Sequence, residues 1–484
     1  DVAFSPPQRG EGARRADEGS SIWIAAERLP ELLAIHPTLQ PTITAPPSRQ
    51  KSWTREAAII EMLRGRMTLL GPTTAAALAQ SLVIDERDVD AALLALESEG
   101  VILRGSFETR GALEWCDRRL LARIHRYTIH RLRAEIEPVS AADFMRFLFV
   151  WQHVAPSAKL RGLEGLQAVL AQLDGFEVAA SGWERSVLPS RIDAYEPSLL
   201  DMLCLTGEVG WARLSPATST VVSATPIALF LRANADAWQS LRDESTIELS
   251  DAARAVLETL RTRGASFARD LGSNDAIGEL VSAGLIASDG FAGLRALISG
   301  SHERQRANLA GRWSLLAPQA SSDDAIETQA RTLLRRYGVI FRRLLAREPN
   351  AAPWRELARV YRRLEARGEI RGGRFVRGMS GEQFALPEAI ERLREIRRDR
   401  ADGRLIVISA ADPLNLTGIV SEEERIRAVA GTRIAYRDGV AVSVMEGEYV
   451  RPLVDLDATH AMTVATALAG RRVPVGSGFV GRSA

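Results

Sequence analysis

Lysine is nearly missing from this chain. Only Lys51 and Lys159 occur, so arginine supplies 60 of the 62 basic residues. Cysteine is scarce as well. Cys116 and Cys204 are too few for a disulfide framework, and no Cys/His cluster has the spacing of a zinc site. No apolar run reaches the roughly 18 residues that a membrane helix needs. A phosphate loop of the form G-x-x-x-x-G-K-[ST] is absent, as is a D-E-x-H box, so no ATP hydrolysis is expected of this chain alone. An excess of one charge is lacking too. Sixty-two basic residues face 61 acidic ones, a net charge of +1, so any basic surface must be local.

These absences fit a cytoplasmic protein with reduced thiols, no metal site and no cofactor of its own. No signal peptide opens the sequence. It begins with Asp1, which predicts that a longer polypeptide precedes it. The arginine bias has two readings: a GC-rich genome, or binding of phosphates and bases by planar guanidinium groups.

At 484 residues the chain should divide into three to five domains. Residues 1–20 mix Pro, Gly and charge without periodicity and read as disordered; 21–52 read as an extended linker with a short helix. From Trp53 the pattern sharpens. "WTREAAIIEMLRG" is a helix capped by Thr54, with Ala57, Ile60, Met62 and Leu63 inward and Gly65 as its stop. "GPTTAAALAQSL" starts a second helix, and "DERDVDAALLALESEG" a third, capped by Asp85. "VILRGSF" then reads as a strand. Three short helices followed by a β corner make the plan of a winged helix.

The corner recurs. "ESEGVILRGSF" (Glu97–Phe107) and "EARGEIRGGRF" (Glu365–Phe375) share a charged helix end, a glycine, an isoleucine, an arginine and an aromatic. "LLDMLCLTGEVGWARL" and "DAIGELVSAGLIASDGFAGLRAL" run through the same order. The expected architecture is mainly α with α+β winged-helix units: a tandem array at 53–113, 114–222 (with a helical insertion), 223–322 and 323–400. A small β-barrel should follow at 401–484, because "GRLIVISAADPLNLTGI", "RIAYRDGVAVSVMEGEYVRPL" and "MTVATALAG" read as short β segments.

Several stretches carry a family resemblance. "EWCDRRLLARIHRYTIHRLRAEIEPVSAADFMRFLFVWQHV", "LRRYGVIFRRLL", "WRELARVYRRLEARGEIRGGRFVRGMSGEQFALPEA" and "ISAADPLNLTGIV" resemble the C-terminal half of the bacterial Lhr (large helicase-related) proteins of superfamily 2. The likeness runs from about Ser21 onward. It implies an ATP-driven 3′-to-5′ DNA helicase core in the same polypeptide, with ATP and Mg bound only there. It also implies DNA and further copies of the chain as partners, a role in DNA repair and association with the nucleoid. Single-stranded or forked DNA is expected from the arginine excess of residues 331–404, and no membrane from the lack of a long apolar run. The plan is similar to that of the AlkZ-type DNA glycosylases, but their Q-x-Q or Q-x-D motif is absent; "RQRA" at Arg304–Ala307 does not replace it.

Candidate nucleic-acid residues follow from charge. Residues 331–404 hold 20 arginines against 10 acids, which points to DNA contact, with Arg371, Arg374 and Arg377 on the wing. Arg104 holds the corresponding place in the first corner. Arg119, Arg123, Arg126 and His130 step by three or four along one helix and share a face, with Trp115 beside them for base stacking. The alternative for that helix is a scaffold whose arginines pair with Glu135, Glu137 and Asp143. His125 and His130 lie five apart, the wrong interval for a shared metal. For catalysis the candidate is Asp412 in "AADPLNL", as a glycosylase carboxylate or as a turn cap. Asp438 in "RDG" reads as a turn residue.

Overall fold

The computed structural model describes residues 25–41, 43–109, 111–134, 137–217, 221–242, 247–298, 310–316 and 322–470. The stretch expected to be disordered, 1–20, and the tetrapeptide at Arg304 lie outside them. The chain divides into two compact units, one ending at Leu132 and one beginning at Arg133.

Four segments repeat one order: helix, strand, helix, helix, strand, wing, strand, with the last strand in the middle of the sheet. In the first, helices Arg55–Met67, Ala75–Leu82 and Glu86–Ser98 precede β1 (Ile102–Gly105) and β2 (Glu114–Asp117). The opening strand is reduced to one bridge, Thr73 to Trp115. In the second, helix Gly162–Gln172 leads to β3 (Glu177–Ala179), and helix Pro197–Leu205 to β4 (Val209–Ala212) and β5 (Pro226–Leu231), in the order β3-β5-β4. The third runs from helix Asp251–Arg263 through β6 (Ser266–Phe267), helix Asn274–Ser282, β7 (Ile286–Ser288) and β8 (Arg312–Leu315), ordered β6-β8-β7. The fourth has helix Ser322–Tyr337, β9 (Val339–Phe341), helix Trp354–Ala366, β10 (Arg371–Gly373) and β11 (Gln383–Ala385), ordered β10-β11-β9.

Local chemistry explains the starts and stops. Thr54 Oγ1 accepts from Ala57 N–H at 3.2 Å, and Thr74 does the same for Ala77. Asp85 Oδ1 accepts from Arg87 N–H at 2.8 Å. Each third helix ends on a glycine in the left-handed region: Gly100, Gly207, Gly284 and Gly368, at φ 73, 79, 67 and 77°. The glycine and the residue after it donate back to the last turn in all four, for example Gly100 to Glu97 O at 2.8 Å and Gly368 to Glu365 O at 2.9 Å. Two residues later Ile102 and Ile370 are buried, each stabilising its unit by roughly 1.5–3 kcal/mol.

Several boundaries differ from the sequence expectation. The first wing closes at Asp117 rather than 113, because Glu114–Asp117 pairs with β1. A cut at 222 separates β5 from its partners β3 and β4. The first helix passes through Gly65 to Met67, and its buried face is Ala58, Ile59, Leu63 and Met67.

The expected C-terminal barrel is not what the described residues form. They make an open antiparallel meander, β12 (Leu405–Ser409), β13 (Arg433–Arg437), β14 (Val440–Glu446) and β15 (Tyr449–Pro452), in sequence order. The stretch read as a last strand is helix Ala458–Leu468, capped where Asp457 accepts from His460 N–H at 2.9 Å. This helix covers one face through Val464 and Leu468 against Ala435 and Val442. The other face, with Ile408, Ile434 and Val444, joins the core of the fourth unit. With both faces covered, the sheet needs no closure to bury its apolar residues. The β13–β14 turn at Asp438-Gly439 is tight, with both residues at positive φ.

Candidate nucleic-acid interface

The fourth wing, between β10 and β11, is tied down on two sides. Val139 N–H donates to Phe375 O at 2.8 Å, and Arg377 N–H returns to Val139 O at 2.9 Å. Within the loop, the buried amide of Gln383 satisfies four backbone groups. Its Oε1 accepts from Phe375 and Val376 N–H at 2.9 and 2.8 Å, and its Nε2 donates to Val376 and Met379 O at 3.0 and 3.2 Å. That uses the whole capacity of a glutamine side chain. Phe375, Val376 and Met379 therefore turn inward, while Arg371, Arg374 and Arg377 stay exposed. Among the described residues none of these three makes an ion pair.

Many of their neighbours on helices Ser322–Tyr337, Trp354–Ala366 and Pro387–Arg398 are spent. Arg331, Arg359, Arg362, Arg363 and Arg392 each hold a carboxylate at 2.5–2.9 Å. A second group of arginines lies beside the wing. Arg394, Arg397 and Arg398 line a notch of about 180 Å3 together with Val139 and Phe375. Arg397 is held by Glu137 at 2.5 Å.

The first corner has the same backbone and a different electrostatic state. Arg104 Nε lies 3.0 Å from Glu97 Oε1. Trp115, expected to stack on a base, is 2% exposed and sits in the core, because β2 is covered on both faces. Arg119, Arg123 and Arg126 are exposed on helix Arg118–Ala134, where Asp117 caps the first turn through Arg119 and Leu120 N–H. The side chain of His130 lies outside the described residues. The structure thus places Arg371 at the start of β10 with Arg374 and Arg377 on the wing that follows, and Arg119, Arg123 and Arg126 on one helix, in different compact units.

Asp412 does not suit catalysis. It is 1% exposed and grips Arg191, itself 0% exposed, at 2.6 and 2.9 Å, while its Oδ1 also accepts from Leu414 N–H. Arg191 Nη2 donates further to Gln152 Oε1 at 2.9 Å. The carboxylate is a structural tie between the second unit and the chain after β12.

The bracing side chains were not legible beforehand. Seven and eight residues after the corner glycine, two wing N–H groups meet one buried acceptor in three units. In the first, Glu114 accepts from Phe107 and Glu108 at 2.7 and 2.8 Å. In the second, Glu177 accepts from Leu214 and Ser215 at 2.7 and 3.0 Å. Gln383 does so in the fourth. The backbone donors of Glu108 and Phe107 hold the Glu114 carboxyl below its usual range against its desolvation. A Glu or Gln opening the last strand, as in "EWCD" and "QFAL", is the only sequence signal. Among the described residues no group of three His, Cys, Asp or Glu side chains could hold a metal, and no helix is long and apolar enough to cross a membrane.

Comparison with known proteins agrees with this architecture. Residues 139–233 and 319–405 match the models for the third and fourth domains described as "Large helicase-related protein, winged-helix domain". The chain is 31% identical over 436 residues to the "Lhr helicase/ probable uracil glycosylase" of Mycolicibacterium smegmatis, covering 78% of this chain and 28% of that protein. It is 28% identical over 407 residues to the "Lhr helicase/uracil glycosylase" of Escherichia coli, covering 71% and 26%. It therefore spans little more than a quarter of the length of either relative. Among solved structures, the Streptomyces sahachiroi DNA glycosylase AlkZ aligns with 69% of this chain and 98% of its own, at 13% identity and a TM-score of 0.42, a likeness too distant to bear on function. The chain belongs to the large helicase-related family, as part of its winged-helix region.

Proposed function

We propose that this chain is the DNA-binding and assembly region of an Lhr-type 3′-to-5′ DNA helicase acting in DNA repair. The fourth wing contacts the DNA backbone through Arg371, Arg374 and Arg377. The observation that carries this reading is their state: exposed, without an ion pair among the described residues, and mounted on a wing fixed by Gln383 and Val139. Phosphate contacts of this kind position a strand and do not read its sequence. ATP and Mg belong to the helicase core, expected in the same polypeptide, and further copies of the chain are expected partners. Binding of single-stranded or forked DNA should weaken by orders of magnitude between roughly 50 and 200 mM salt. A constant that barely moves, or DNA-stimulated ATP hydrolysis by the purified chain, would overturn the reading.

A second reading, a DNA glycosylase, is favoured by the names of both relatives. Asp412 is no longer its carboxylate. Release of base from a uracil- or alkyl-containing oligonucleotide, surviving in Asp412→Asn, would support it; no release from either substrate would remove it.

A further inference from the structure

Between the fourth wing and the C-terminal sheet lies a cleft of about 420 Å3. Met145, Met379 and Leu416 form apolar wall, and Arg343, Arg377, Glu422 and Glu423 bring charge to it. Among the described residues these four charged groups make no ion pair with each other or with anything else. Arg343 is steadied by donating to Gly418 O at 3.3 Å. Among the described residues Glu423 Oε2 is buried with no hydrogen-bond partner, a condition that is unfavourable unless a donor arrives. Pockets for small ligands run from about 300 to 1,000 Å3, mostly apolar with a few fixed polar groups. The cleft fits that description, and a mixture of signs suits a ligand that carries both an anion and N–H donors.

We propose that this cleft receives one unstacked nucleotide from a single strand. Its phosphate lies against Arg377 and Arg343, its base against the methionines, and its N–H edge donates to Glu423. The proposal rests on the DNA reading of the fourth wing, since Arg377 serves both. Glu422 and Glu423 give the cleft a mixed charge, which a single nucleotide satisfies with its phosphate on the arginines and its N–H edge on Glu423.

The test uses the full chain and two probes. By calorimetry, deoxycytidine 5′-monophosphate should bind, and deoxyribose 5-phosphate, which lacks the base, should bind about tenfold more weakly. Glu423→Gln should cost the mononucleotide about tenfold while leaving deoxyribose 5-phosphate unchanged. Val440→Trp, at a position 37% exposed on the cleft's edge, should block entry without touching the core. A single-stranded oligonucleotide with one 2-aminopurine should brighten on binding the parent and stay dim with Val440→Trp. No mononucleotide binding, or equal binding by parent and both variants, overturns the proposal. If anisotropy shows strand binding but the fluorescence stays flat, the cleft fails and the wing reading stands. If the strand does not bind at all, the wing reading fails, and the mononucleotide result still decides the cleft.

Discussion

The first and fourth corners begin alike. Gly100 and Gly368 stop their helices at nearly the same φ, Ile102 and Ile370 fill the same place in the core, and Phe107 and Phe375 have their N–H groups held by Glu114 and Gln383. They part at the arginine. Counted from the glycine, Arg104 stands where the fourth unit has Gly372, and the helix-end acids differ in use. Glu97 takes the Arg104 side chain, whereas Glu365 accepts from Gly372 N–H at 3.0 Å. Glycine and aromatic therefore mark a backbone device, while the arginines report something separate: how much positive charge the acids leave available.

Breaking the fourth corner should have the largest effect. Replacing Arg371, Arg374 and Arg377 together by alanine should weaken DNA binding by about ten- to a hundredfold, evenly across sequences. It should also flatten the salt slope by about one per lost phosphate contact. Fluorescence anisotropy at several salt concentrations measures both, and the melting temperature should hold because the side chains are exposed. Next comes Gln383→Ala, which orphans buried wing groups and should cost about 1–3 kcal/mol, seen as a lower melting temperature and faster exchange of the Phe375 and Val376 amides.

The first corner should respond less. Arg104→Ala removes a half-exposed pair worth about 0–1 kcal/mol and should leave DNA affinity within twofold. Glu97→Gln sharpens the comparison from the other side: freeing Arg104 should raise DNA affinity slightly, by up to about twofold, if the pairing is what silences it.

The two braces should also differ in acid. Glu114 has a lowered carboxyl pKa, so its contribution is present above the ordinary carboxylate value and is lost as pH falls through the lowered one. Protection of the Phe107 and Glu108 amides should therefore fall at low pH, while Phe375 and Val376, held by an amide that does not titrate, keep theirs. Exchange measured on Glu114→Gln should remove the pH dependence of the first wing.

The helix caps, the glycine stops and the repeated corner could be read from sequence because each is set by residues a few positions apart. What could not be read depends on register or distance. "EWCD" gave no sign that all four residues are buried, since a strand covered on both faces loses its alternation. Gln383 acts across a turn, and its backbone partners become visible only once β10 and β11 are in register. "MTVATALAG" looks like a strand from its β-branched residues, yet the Asp457 cap and packing on the sheet make it a helix. The exposed wing arginines could be named from sequence, but not which of the surrounding arginines were already neutralised.

The Arg191–Asp412 pair has a consequence for how this chain is made. The two residues are 221 positions apart, so a ribosome completes the whole second unit, and the third and fourth, before the matching carboxylate emerges. Until then Arg191 must stay wet or be buried without its partner, a state that costs about 3–5 kcal/mol. The second winged helix thus reaches its final packing around Arg191 only when the segment after β12 supplies the matching carboxylate.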